Sequence, residues 1–214
     1  MSAPTPSRSS SGRPTSTIQK RSSLLPKPSS IVIDQSVLIA QHASLTGTYP
    51  ITVGPYTVLH PHSKISSTIA PVVLGEGVVV YERAKVGVGA GGVAGMGAAR
   101  ESMRVDGTVL GRYVVVETGA IVEAAEIGEG SVVEGSAVVG RGCVIGKFCT
   151  IAAHCIIPAN THLADYTVVY EGAKTRIDKT LQLRPQTQDM RTAFHKKQLE
   201  TFRKLMPNNV AKWA

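Results

Sequence analysis

Residues 127–169 read IGEGSVVEGSAVVGRGCVIGKFCTIAAHCIIPANTHLADYTVV. An aliphatic residue returns every sixth position without a slip: Ile127, Val133, Val139, Ile145, Ile151, Ile157, Leu163 and Val169. Neither a helix, with period 3.6, nor a half-buried strand, with period 2, produces that spacing. A six-residue unit instead makes one short strand and one corner, and three units close a triangular coil. The anchor fills the interior, and the residue four places later must be small. Coils then stack at the strand spacing of about 4.8 Å, each completing the backbone pairing of the last.

Upstream, the same period recurs in triplets: Ile33, Ile39, Leu45; Val53, Leu59, Ile65; Leu74, Val80, Val86; and Leu110, Val116, Val122. The small positions of the second unit are Ala43, Ser63, Ala84, Ala120, Ala137 and Cys155. Every departure from strict spacing falls between the third unit of one coil and the first of the next, so all insertions share one corner. Gly54, Gly75, Gly111, Gly128 and Gly146 each follow a first-unit anchor, where a positive φ or a tight corner is expected. The expected fold is all-β: a parallel β-helix of about six to seven coils over 31–180, left-handed by resemblance to the hexapeptide-repeat class. A loop is inserted at 87–109. An extension at 181–214 carries an α-helix over 186–206, with Pro185 before it, Thr187 as cap and Pro207 as stop.

The chain has 214 residues and a formal net charge of +8. That charge sits at the ends. Residues 1–30 carry +5 with no acid and 174–214 carry +7, while 31–173 carry −4. An acidic body with two basic ends is a poor nucleic-acid platform. No apolar run approaches the length of a membrane span, so no direct membrane insertion is expected. The Ser/Pro-rich arm at 1–30 reads as a solvated, disordered tail. Within it, Thr5-Pro6-Ser7-Arg8 matches a proline-directed kinase site, making Thr5 a candidate phosphosite. The Gly/Ala-rich loop reads as a spacer or docking loop.

Candidate chemistry is sparse. Cys143, Cys149 and Cys155 are six apart, which places them inward as packing and not as zinc ligands. His42 and His62 occupy equivalent outward positions in adjacent coils, with His60 outward beside them; they offer a ladder of imidazoles for pH-sensitive charge or, alternatively, a zinc pair. His154 is the isolated outward histidine that a general base would require. Glu117 and Glu134 stack on one face, which predicts a basic neighbour. These sparse features lead to no cofactor, no metal and no catalytic residue being assigned.

Thr52-Val53-Gly54-Pro55-Tyr56-Thr57-Val58-Leu59-His60-Pro61, the Val73–Gly77 coil before the long insertion, the Thr180–Gln186 segment and Leu205-Met206-Pro207-Asn208 together resemble the dynactin subunit 6 family. The resemblance implies a non-enzymatic scaffold of the dynactin pointed-end complex in the cytoplasm and cytoskeleton. Its implied partners are dynactin subunit 5, dynactin subunit 4 and the pointed-end actin-related protein, with dynein and cargo reached indirectly. Phe194, Phe202, Lys196, Lys197, Arg203 and Trp213 are the expected partner-binding residues. The alternative is a hexapeptide-repeat enzyme, either an acyltransferase or similar to γ-type carbonic anhydrase.

Overall fold

The computed structural model describes residues 28–87, 89 and 107–213. Thr5, almost all of the arm at 1–30 and most of the loop at 87–109 lie outside the described residues. The remainder is a left-handed parallel β-helix of six full coils and a partial seventh. Its first face stacks seven strands, from Ile31–Ile33 to His162–Leu163. The second stacks seven parallel strands, from Leu38–Ile39 to Thr167–Tyr170. The third stacks six, from Ser44–Gly47 to Ile156–Ile157. Register follows the repeat: Ile39 faces Leu59, Leu59 faces Val80, and Val133 faces Ile151.

Anchors from Ile39 to Ile157 are at most 4% exposed and form one continuous core. Ala43, Ser63, Ala84, Ala120, Ala137 and Cys155 are buried beside them. The Gly54–Gly75–Gly111 ladder serves close approach, without positive φ. A Cβ on Gly54 would lie 2.8 Å from the Gly75 carbonyl carbon, and one on Gly128 would lie 2.6 Å from that of Gly146. Left-handed backbone falls two residues further on, at Gly77 and Gly130 but also at non-glycine residues. Tyr56, Tyr113, Phe148 and Tyr166 take it at the corner between first and second faces, and His42, His62, Arg83, Ser136 and His154 at the corner between second and third. Such a conformation costs about 1–2 kcal/mol per residue outside glycine. Stacked coils hold each turn through the next coil's backbone bonds, which offsets that strain. At the first of these corners, for example, the Tyr113 N–H donates to Glu76 O at 2.8 Å and the Tyr166 N–H to Lys147 O at 2.8 Å.

The solenoid's last strand is covered by an antiparallel one, Lys174–Ile177. Asp178 then caps a short helix, α1 (Lys179–Leu183), by accepting from the Thr180 and Leu181 amides at 3.0 and 3.1 Å. The long helix α2 (Pro185–Leu205) follows, with proline in its first turn and no side-chain cap, so Thr187 does not serve as one. It returns along the second face, from Tyr166 of the seventh coil to Tyr56 of the second. The chain then closes on the first coil. Asn208 Nδ2 donates to Val37 O at 3.0 Å, Asn208 Oδ1 accepts from Ile39 N at 3.1 Å, and Val210 and Trp213 pack on the end of the core. Among the described residues no helix is long and apolar enough to cross a membrane.

Candidate functional site

The corner between second and third faces carries an outward side chain from five of its six coils, the fourth having Gly119 at that position. A positive φ at the second turn residue sends His42 (φ 62°), His62 (61°) and Arg83 (58°) out in line. The His42 and His62 rings stack with centroids 5.0 Å apart and planes 5° from parallel. On the adjoining third face Lys64 and Lys85 are direct register partners. His62, Lys64, Arg83 and Lys85 line an open depression of about 300 Å³. Two like charges directly opposite one another on parallel strands destabilise the pair. Among the described residues the ion pairs are Arg112–Glu129 and Lys174–Glu171, and neither touches this groove. Among the described residues the groove is therefore a concentrated positive surface without an ion pair, with an imidazole at its edge.

His154 occupies the same corner four coils away, about 19 Å at the usual strand spacing. It is exposed, and its backbone N–H donates to Gly135 O at 3.1 Å. The acidic ladder beneath it needs no basic neighbour. Glu117 Oε2 accepts from the Gly135 amide and Glu134 Oε2 from the Ala153 amide, each at 3.0 Å, so each carboxylate is held by the next coil's backbone.

His60 points away from the prism as its register requires, yet α2 covers it. Its ring stacks on Tyr81 at 4.5 Å and meets the edge of Phe202 at 4.8 Å, and its Nε2 has no hydrogen-bond partner. Burial holds its pKa below the ordinary value, against the opposing pull of Glu82. From the helix side His195 packs near Tyr113, and its Nε2–H donates to Gly77 O at 2.7 Å. Burial lowers its pKa as well; the Gly77 bond opposes that and the nearby Arg191 charge adds to it.

Four of the six expected partner-binding residues are engaged within the chain. Phe202 packs on His60 and Tyr81, and Trp213 on the core's end. Lys196 sits 5.3 Å from the centre of the Tyr113 ring and Arg203 5.5 Å from that of Tyr56. Phe194 and Lys197 face solvent. The three cysteines are buried thiols within the core: Cys143 Sγ donates to Pro158 O at 2.9 Å and Cys149 Sγ to Ala164 O at 3.1 Å. Burial pushes both of these thiols up. Among the described residues no group of three or more His, Cys, Asp or Glu is placed to hold a metal ion. The paired imidazoles lie parallel, so their nitrogens run side by side and do not converge on one point.

No family model and no curated protein matches the chain. Solved structures do share its fold. A hexapeptide transferase family protein from Anaplasma phagocytophilum aligns with TM-score 0.60 and 14% identity, over 83% of this chain and 93% of its own. A putative acetyltransferase from Bacillus cereus aligns with TM-score 0.54 and 17% identity, over 80% of this chain and 91% of its own. The chain thus shares the architecture of these two proteins.

The resemblance to the dynactin subunit 6 family does not hold against these structures. With it go the pointed-end scaffold role and the non-enzymatic assignment. The residues that carried it make the fold. Gly54 packs on Gly75, Thr57 Oγ1 donates to Gly75 O at 2.9 Å, His60 lies under α2, and Asn208 seals the first coil.

Proposed function

We propose that this chain is a hexapeptide-repeat acyltransferase, moving an acyl group from a phosphate-bearing thioester to a hydroxyl or amine acceptor at the His62 groove. The observation that carries this reading is the grouping of His62 with Lys64, Arg83 and Lys85 around one depression. Three fixed cations suit the phosphates of a carrier thioester, with Arg83 able to bind bidentately. The imidazole supplies the base. His62 takes the acceptor's proton as its oxygen or nitrogen attacks the thioester carbonyl. The new C–O or C–N bond forms, the C–S bond breaks, and the proton passes from the imidazolium to the departing sulfur. His42, stacked on His62, holds the ring plane. Hexapeptide enzymes usually place their sites between prisms, and a second chain against the third face would shield this open groove from water.

The acyltransferase reading is favoured over the carbonic anhydrase one by the parallel imidazoles, which do not converge as zinc ligands must. The test is thiol release from acetyl-coenzyme A in the presence of amine and sugar acceptors. His62→Ala is expected to lower the rate about 10²–10⁴-fold, the range for a general base, while His154→Ala leaves it unchanged. Equal rates for His62→Ala and the parent, or no acceptor-dependent release at all, would overturn the reading.

A further inference from the structure

The helix that covers the second face has an outer surface its own prism leaves bare. At 3.6 residues per turn, His195, Leu199 and Phe202 fall on one side, facing the coils. Met190, Phe194 and Leu205 fall within roughly 60° of one another, about 110° round the helix from that side, and are 73%, 71% and 75% exposed. Leu183, just before the helix, is 73% exposed. Three large apolar side chains aligned on a solvent-facing stripe mark an interaction surface, unlike isolated exposed residues. Lys197 and Lys204 flank the stripe, roughly 20° and 40° beyond Met190, and Glu200 and Asp189 stand farther round on the same flank.

We infer that the outer face of α2 docks an amphipathic helix of a partner protein whose apolar side chains are flanked by carboxylates. A partner helix laid along α2 brings its own i, i+3 and i+4 residues onto Met190, Phe194 and Leu205. Acidic flanks then meet Lys197 and Lys204, which steer the encounter as well as hold it. The chain's own arm at 1–30, with five basic residues and no acid, has the wrong charge for the same seat.

The probes are two synthetic 21-residue helical peptides with the same leucine stripe, one with glutamate and one with lysine at every flanking position. Their binding to the full chain is followed by fluorescence anisotropy. The glutamate peptide is expected to bind at least tenfold more tightly. Phe194→Glu should weaken it at least tenfold, and Lys197→Glu with Lys204→Glu should remove the preference for glutamate. Because these side chains are exposed, circular dichroism and the melting temperature should match the parent for every variant. Equal binding of both peptides, or glutamate-peptide binding unaffected by Phe194→Glu, overturns the inference. So does self-association of the chain that Phe194→Glu abolishes, since a second copy would then be the occupant.

Discussion

His60 and His62 are two residues apart, and both point away from the same prism. His60 is 8% exposed beneath Phe202, whereas His62 lines an open basic groove. The second and third faces differ in the same way. One is a packing surface, covered by a helix that shares aromatic, histidine and amide contacts with it; the other, among the described residues, is bare and charged at its basic end. The repeat builds the prism alike on all faces, and what lies outside it assigns each face a role. Changes on the second face should therefore cost stability, and changes at the basic end of the third should cost activity.

The largest effect is expected where both faces depend on coil spacing. In Gly128→Val the added side chain meets Gly146 backbone from 2.6 Å, so two coils must separate. A loss on the order of 4 kcal/mol, seen as a collapse of the denaturant midpoint, is expected. Next comes Leu199→Ala, which removes the buried anchor of α2 from its place against Leu38, Val58 and Val79. About 2–4 kcal/mol should be lost in urea unfolding, with thiol release by the folded enzyme retained.

Acid should separate the faces further. His60 and His195 are both held below their ordinary value of 6.5, chiefly by burial. Above that value both are neutral folded and unfolded, and the covered face keeps its full stability. As pH falls below 6.5 toward the lower folded values, the unfolded chain binds protons first and this stability is lost. Unfolding midpoints at pH 8 and pH 5 should show the drop, and His60→Leu should reduce it. An undiminished drop in that variant would place the effect elsewhere. The smallest change in stability is expected from Lys85→Glu, which replaces repulsion of Lys64 by attraction and should stabilise by about 0.2–1 kcal/mol. The same variant should raise KM for acetyl-coenzyme A, which steady-state kinetics checks.

The interior was legible because each anchor's burial depends only on its place in a six-residue unit. Turn conformations were not. The glycines after the anchors suggested a positive φ or a tight corner; they serve the tight corner, through backbone contact between coils, and Tyr56, His62 and Arg83 are among the residues that take the left-handed positions. Coil-to-coil hydrogen bonding overrides local preference there, and no local signal announces it. His60 was misjudged for a related reason. Its register gives the direction of its side chain, while its burial depends on Phe202, about 140 residues later. The Lys64–Lys85 pair was readable from register, since both stand just before a third-unit anchor. A search confined to histidine, cysteine and acidic residues passes it by. The cap at Asp178 was likewise hidden, because a separate short helix before Pro185 leaves no apolar period of its own.

The sealing of the first coil by Asn208 and Trp213 has a consequence for how the protein is made. Val37 and Ile39 leave the ribosome about 170 residues before the side chain that satisfies them. Domains fold broadly from the N-terminus during synthesis. This solenoid can stack rung on rung as it emerges, yet the Val37 carbonyl and Ile39 amide of its opening rung wait for Asn208 to be released. A bare edge of parallel strands is a template for another chain. Asn208 is thus a timed plug, and ribosome-bound chains stopped short of it leave the Val37–Ile39 stretch of that edge open to pairing.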